Sequence, residues 1–303
     1  MAINRRTRGD RIFDCINVAL VSIILLIVLY PLYFTVIASL SDPYSVVKGE
    51  VFLLPKGFTL EAYKNVFAES RVWRGYRNTI FYTFFGTCFN LLLTIPAAYV
   101  LSKKELVARN FISTFFLIPM YFGGGMIPYY LQVKNLGLIN QPLTLVVLGG
   151  ISVYNVVVSR VYFQTGIPGE LYESAKLDGA SDFRQFFSIA LPLFAPILAV
   201  MALYYGVGHW NGYFTAMIYT SSSSLQPLQI ELRAILLMSQ TAFDQAALMD
   251  ADSMDLSALA RKAYMAEAMK YALIFISSAP MMIAYPFVQK YFVKGMMIGS
   301  LKG

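Results

Sequence analysis

Six long apolar runs organise the chain, over residues 12–40, 76–101, 111–133, 142–161, 191–218 and 263–292. Each approaches or exceeds the roughly 20 residues that carry a helix across about 30 Å of hydrocarbon. Helix is the expected state, because a backbone facing lipid must satisfy its own hydrogen bonds. The alternating ten-residue segments of a membrane barrel are absent. The first and last runs exceed one crossing and are expected to tilt or to continue into water. Between the runs lie polar connections over 41–74, 168–190 and 221–262, and a polar tail follows over 293–303.

Composition strengthens this picture. Of 303 residues 57% are apolar and 14% charged, against about 25% charged in soluble domains. The expectation is an all-α membrane protein, one transmembrane domain spanning 1–303. The first run passes through Tyr30-Pro31 with no small-residue cleavage site, so it reads as a retained helix rather than a secretory signal. Arg5, Arg6, Arg8 and Arg11 precede it and, by the positive-inside rule, set the N-terminus in the cytoplasm. Lys103, Lys104 and Arg109, then Arg160, Lys176 and Arg184, then Lys290, Lys294 and Lys302 follow on the same side. These hold only about half of the 24 Lys and Arg, so the N-terminal cluster carries the assignment. Both termini and the 168–190 segment are then cytoplasmic, and 41–74 and 221–262 face outside. The net charge of +7 needs no nucleic acid to explain it. Cys15 and Cys88, in apolar context and without a CxxC pair, read as small buried hydrophobes.

The 41–74 loop carries turn signals at Asp42-Pro43, Lys48-Gly49 and Pro55-Lys56-Gly57. The 221–262 segment opens with SSSS and predicts a short helix in LQIELRAILLMSQ, with Leu228, Leu232, Ile235 and Leu236 on one face. An acidic stretch follows, with Asp244, Asp250, Asp252 and Asp255. A connection this long and apolar predicts a structured lobe. No internal sequence repeat is found.

Much chemistry is missing. There is no Gly-Lys dipeptide, hence no phosphate-cradling P-loop. His209 is single, with no HExxH, and reads as a hydrogen-bonded structural residue. No Ser-x-Gly elbow has a partnering base, and no metal site or bound cofactor is expected. Glu267 and Lys270, at i,i+3 near the outer end of the last run, read as a structural pair. Proton-coupled transport needs an acid at membrane depth, and the middle of the runs offers none. Tyr121-Phe122-Gly123-Gly124-Gly125 could be imagined as an ion filter, but the better reading is a break that lets the third run bend. The chain reads as one that moves something without an engine of its own. The engine belongs to a partner, and a partner needs a place to grip.

That place is the polar segment ending in ESAKLDGASDFRQFFSIALP, residues 173–192. Pro168 suits a helix start and Gly179 a positive-φ helix end, predicting a short helix over 169–178. Ser181 predicts an N-cap for a second helix over 182–189. Pro192 falls in the first turn of the fifth span or at its kink. Small residues at Ala175, Gly179 and Ala180 allow another protein close to the backbone.

The pattern E-x-A-x-x-x-G, nine residues, I-x-L-P, here Glu173, Ala175, Gly179, Ile189, Leu191 and Pro192, resembles the EAA loop of binding-protein-dependent ABC importer permeases. Ser174 stands where the family prefers Ala. HWNGYF at 209–214 resembles the WN-containing stretch of carbohydrate-uptake permeases, and KYFVKGMMIGSLKG the tail of their MalG-like half. YFGGGMIPYYLQVKNLGLIN resembles an LplC/YtcP-type branch associated with complex oligosaccharides. The resemblance covers essentially the whole chain. It implies a type I importer permease (MetI-like) fold of six transmembrane helices with a cytoplasmic coupling helix, in a bacterial cytoplasmic membrane. It also implies four kinds of partner: a second homologous permease, two ABC ATPase subunits that hold ATP and Mg, an extracytoplasmic sugar-binding protein or lipoprotein, and an oligosaccharide. The ATPases would dock on Glu173, Ser174, Ala175, Asp178, Gly179, Ile189, Leu191 and Pro192. The tail would place Lys302 and Gly303 at the ATPase interface, and the 221–262 lobe would probe the binding protein. Trp210, Asn211, Tyr213, Tyr121, Tyr154 and Asn155 are candidate substrate-path residues, because aromatic faces stack on sugar C–H surfaces and amides bond hydroxyls. The competing class is a self-sufficient membrane protein, either an ATP-independent facilitator or channel or a membrane enzyme, which would be active without partners.

Overall fold

The computed structural model describes residues 7–248 and 255–300, and every regular element among them is helical. In chain order these are α1 (Arg8–Ser39), α2 (Pro43–Val47), α3 (Glu61–Ala68), α4 (Ser70–Ser102), α5 (Arg109–Tyr121), α6 (Met126–Asn135), α7 (Thr144–Val147) and α8 (Val153–Thr165). There follow α9 (Gly169–Leu177), α10 (Asp182–Gln185), a π-helical turn (Phe186–Ala190), α11 (Leu191–Leu193), α12 (Ala195–Trp210), α13 (Tyr213–Tyr219), α14 (Leu228–Leu248) and α15 (Asp255–Ser300). Two compact units form, one from Met1–Ser70 with Leu232–Ser278, the other from Arg71–Glu231 with Ala279–Gly303.

In the first unit, Thr7 and Asp10 form a reciprocal capping box at the start of α1. The membrane-crossing part of α1 is strongly apolar and none of it is buried. A helix so apolar and so uncovered is built to face lipid. Its C-terminal end packs instead: Ile37 and Ala38 join Val46 and Val51 of the following loop, with Phe34 and Tyr271 alongside. The turn residues read from sequence close that loop, with Asp42 capping α2 through Ser45 N–H and donating its own N–H to Lys56 O at 2.9 Å. The expected Glu267–Lys270 pair is formed, with Lys270 Nζ also 4.8 Å from the Tyr271 ring centroid.

The spans are less regular than the apolar runs suggest. Among the described residues, α1, α4 and Tyr264–Phe287 of α15 are long and apolar enough to cross a membrane, and two bent pairs bring the number to five. The third run breaks at 122–125, where α5 and α6 meet at 113°, in keeping with the bend read from its glycines. The fourth run, 142–161, is not one helix: it divides into the four-residue α7 and the 13-residue α8. The fifth breaks again at Asn211-Gly212, between α12 and α13. The LQIELRAILLMSQ helix extends to Leu248, and residues 249–254 lie outside those described. Cys15 and Cys88 are exposed rather than buried. In a membrane chain an apolar neighbourhood can mean lipid as readily as core.

In the second unit α4 is the organising element. Its buried residues include Gly75, Asn78, Thr79, Tyr82, Gly86, Asn90, Thr94 and Ala98, a stripe of small and polar side chains recurring every three to four positions. These side chains take up backbone groups freed where other segments break. Asn78 Nδ2 donates to the carbonyls of Ser224 and Gln226 at 2.8 and 2.9 Å, and Tyr82 OH to Leu225 O at 2.8 Å. Thr79 Oγ1 accepts the Leu228 N–H at 2.9 Å, capping α14 from outside. Asn90 Nδ2 donates to both Gly149 O and Gly150 O at 2.9 Å, in the gap between α7 and α8. Thr94 meets the Tyr205 hydroxyl at 2.6 Å, and that hydroxyl accepts Ser152 N–H at 3.3 Å.

Replacing Asn90 by Leu orphans the Gly149 and Gly150 carbonyls. The expected loss is about 1–3 kcal/mol, read as a lower melting temperature in detergent. Leu92→Ala, at a position 70% exposed, should leave melting unchanged.

Candidate functional site

The polar segment over 168–190 folds as its residues predict, with one shift and one addition. Pro168 is the N-cap of α9, one position before the first turn, and α9 ends at Leu177. Gly179 has φ +73°. Its N–H bonds Lys176 O, and Ala180 N–H bonds Ala175 O at 2.9 Å. These two bonds form a Schellman close, and the left-handed residue at its centre is one that only glycine adopts at no cost. Ser181 caps α10 through Arg184 N–H. Gln185, 1% exposed, donates Nε2 to Ala180 O at 3.0 Å and pins the turn from beneath.

The addition is the π turn. Leu191 N–H reaches back five residues to Phe186 O. Pro192 has no N–H to offer the Ser188 carbonyl, and Pro196 none to offer that of Pro192. Two rungs of the regular ladder are therefore missing, and the pieces Asp182–Leu193 and Ala195–Trp210 meet at 78°. Phe194 sits at the corner, fully buried, its ring stacked on Phe163 at 4.2 Å between centroids and edge-on to Tyr162. Around it lies the core of Ile95, Tyr99, Val156, Ile167 and Ala190.

The two faces of α9 differ. Tyr172 and Ala175 turn inward, and Lys103 Nζ lies 3.5 Å from the Tyr172 ring centroid. Burial pushes the Tyr172 phenol up to about 12 and holds the Lys103 ammonium down. Lys176 reaches Glu105 at 2.8 Å, and its hydrogen bond holds that carboxyl below its ordinary range. Glu173, Ser174, Asp178 and Gly179 are exposed. So are Leu177 (89%) and Phe183 (78%), two large apolar side chains on either side of the Gly179 turn. Ile189 and Leu191 are half-buried and Pro192 exposed. Leu177 and Phe183 were not singled out from sequence; an apolar residue beside each half of a polar turn was the available signal.

A second feature lies within the same unit. A cavity of about 220 Å³ is lined by Tyr82, Asn90, Leu145, Leu148, Gly149, Tyr204, Tyr205, Gly208, His209, Gly212, Thr215 and Pro227. It lies at the breaks between α7 and α8 and between α12 and α13. His209 Nε2 meets Asn90 Oδ1 at 2.7 Å. Since both Asn90 amide hydrogens serve Gly149 and Gly150, its oxygen must accept, so Nε2 carries a proton. The imidazole fits because residue 86 is glycine: a Cβ there would lie 2.5 Å from the ring. His209 is thus the hydrogen-bonded structural residue expected of it.

The substrate-path candidates are not gathered there. Trp210 is buried against Tyr76 at 6.2 Å, and Asn155 is buried at the start of α8. Tyr121 and Tyr154 are exposed. Asn211 is exposed and Tyr213 half-buried, flanking the cavity residue Gly212. Lys302 and Gly303 lie outside the described residues.

Residues 72–298 match the binding-protein-dependent transport system inner membrane component family. The chain belongs to that family. It is 37% identical to protein LplC of Bacillus subtilis over 98% of this chain and 97% of that protein. It is 33% identical to the polygalacturonan/rhamnogalacturonan transport system permease protein YtcP of Bacillus subtilis, over 97% of this chain and 99% of that one. Among solved structures, a chain of a bacterial ABC transporter that imports the acidic polysaccharide alginate aligns over 95% of this chain and 99% of its own length, with a TM-score of 0.83 and 33% identity. The protein is a permease subunit of an ABC importer, with the all-α fold of that family. The facilitator reading is not favoured.

With the permease identified, the Gly179 turn is open to test. A Cβ at Gly179 would meet nothing within 4 Å, so a substitution acts through φ alone. Asn, which tolerates the left-handed region, should preserve helicity and melting. Val should lower the melting temperature by the equivalent of about 1–2 kcal/mol.

Proposed function

We propose that this permease imports oligosaccharides delivered by an extracytoplasmic sugar-binding protein or lipoprotein. It works with a second homologous permease and with two ATPase subunits that hold ATP and Mg. The observation that carries the mechanism is the continuity from the exposed Gly179 turn, through the π turn, to the buried corner at Phe194. Glu173 offers a charge to a basic group of the ATPase, and Leu177 and Phe183 offer the exposed apolar surface that marks a protein–protein contact. ATP-driven closure of the ATPases moves α9. The strapped turn passes that motion to α11 and α12, and the cavity on α12 alternates between the two sides. ATP hydrolysis is assigned to those ATPase subunits. Both termini face the cytoplasm in this reading, and the tail with Lys302 and Gly303 meets the ATPases.

The substrate class is supported by the named specificities of the relatives and by the cavity, whose size is on the scale of one sugar ring. Tyr204 and Thr215, exposed at the cavity, and Asn211 beyond it are the side chains we assign to sugar contact.

Two experiments on the assembled importer check this. Replacing Leu177 and Phe183 by Asp should cut ATPase co-purification and uptake together by roughly ten-fold or more; unchanged capture with both charges in place would contradict the docking assignment. Thr215→Trp fills the cavity mouth. It should abolish oligosaccharide uptake while ATPase capture stays at the wild-type level, and undiminished uptake would remove the cavity from the path.

A further inference from the structure

The connection between α4 and α5 carries a second feature, beside the α9 segment. A cleft of about 500 Å³ is lined by Lys104, Leu106, Ala108, Arg109, Asn110 and Phe111. Two cations line it and no carboxylate does. Glu105, the acid nearest in sequence, is engaged by Lys176 at 2.8 Å. Behind the cleft Arg160 donates Nη1 to Ser113 Oγ at 2.9 Å, and Ser113 Oγ donates to Arg109 O at 2.7 Å. A third cation is thereby tied to the backbone of the second, where the two guanidinium charges act on each other. Lys104 and Arg109 also border an adjoining cleft with Glu105 and Glu173, but among the described residues neither carboxylate pairs with them; like charges held together mark a place for an anion.

The local backbone agrees. The 13-residue α5 begins at Arg109 with no side-chain cap, its N-cap Ala108 at φ 58°. Arg109 N–H bonds Leu106 O and Ile112 N–H bonds Ala108 O, leaving the N–H groups of Asn110 and Phe111 without an acceptor among the described residues. Neither Lys104 nor the Arg109 side chain has an ion-pair partner among those residues. Flanking the cleft, Val107 is 84% and Phe111 74% exposed. Large apolar side chains beside a cationic cleft, between two membrane helices, suit a ligand that is anionic at one end and apolar at the other.

We propose that this cleft binds the phosphate of an anionic phospholipid. Arg109, Lys104 and the free N–H groups of Asn110 and Phe111 hold the headgroup, Arg160 adds positive potential from behind, and the acyl chains lie against Val107 and Phe111. An acidic loop of a partner protein would satisfy the cations but not the two apolar side chains, so lipid is the assignment.

Native mass spectrometry of the purified full chain tests it, with phosphatidylglycerol, phosphatidylcholine and soluble glycerol phosphate as probes. Wild type should retain phosphatidylglycerol roughly ten-fold or more better than phosphatidylcholine. K104Q/R109Q should fall to the phosphatidylcholine level, while K134Q, a charge removed elsewhere, should match wild type. Arg109→Lys, which keeps the charge, should retain most of the binding and separates lost affinity from lost folding. Equal retention of the two lipids would overturn the proposal, as would unchanged retention in K104Q/R109Q. Glycerol phosphate binding as well as the lipid would overturn the lipid assignment in favour of a soluble phosphate ester. Release of ATPase from the assembled importer by K104Q/R109Q, with lipid retention intact, would overturn it in favour of a protein partner.

Discussion

Everything in the permease's second unit depends on one constraint: a helix that breaks at membrane depth must find other partners for the backbone groups it frees. The chain breaks at 148–152, and its irregular stretch at 220–227 packs against the same helix. α4 answers with Asn78, Thr79, Tyr82, Asn90 and Thr94, placed on one side of a long apolar helix. Asn90 is the most heavily used of them. It donates to two carbonyls of one break and accepts from His209 of the helix leading to another. Lipid provides no hydrophobic drive between helices, so contact rests on small residues that let backbones approach and on polar groups that bond across. Gly86 and Asn90 supply one of each.

That arrangement leaves the cytoplasmic end free to act as a lever in the reading proposed here. The Schellman close at Gly179, the Ser181 cap and the buried Gln185 join α9 and α10 into one piece. Two prolines four residues apart then remove two ladder bonds and weaken the helix at Phe194. Packing holds the corner where it rests. Phe194 stacks on Phe163 of α8, and α8 begins at the break that Asn90 holds. A push on α9 is therefore delivered to the two segments that border the cavity.

The elements legible in the sequence were those with local causes. Length and hydropathy marked α1, α4 and the membrane part of α15. Gly179 and Ser181 announced a helix end and a helix start, because positive φ and N-capping are properties of a few adjacent residues. The break after Tyr121 was visible in three consecutive glycines. What stayed hidden was non-local. Run 142–161 looks continuous, and only the side chain of Asn90, some sixty residues away in sequence, makes its interruption tolerable. Polar residues at 78, 82, 90 and 94, four or eight apart with Gly86 between the middle two, were the available hint. The cysteine reading failed for a related reason, since burial in a fold and exposure to lipid leave the same apolar signature. The aromatic and amide residues near HWNGYF were chosen by type, while the cavity is lined by residues that the breaks bring together.

In the proposed mechanism the docking turn and the cavity are mechanically joined through Phe194. The assembled importer tests this, with the exposed Cys15 and Cys88 replaced by Ser and Thr215 replaced by Cys. The rate at which a membrane-impermeant thiol reagent labels position 215 is measured with and without ATP. ATP should change that rate, and adding Phe194→Leu should remove the change while the ATPases remain bound. An ATP response that survives Phe194→Leu, or no response in the otherwise native permease, would contradict it.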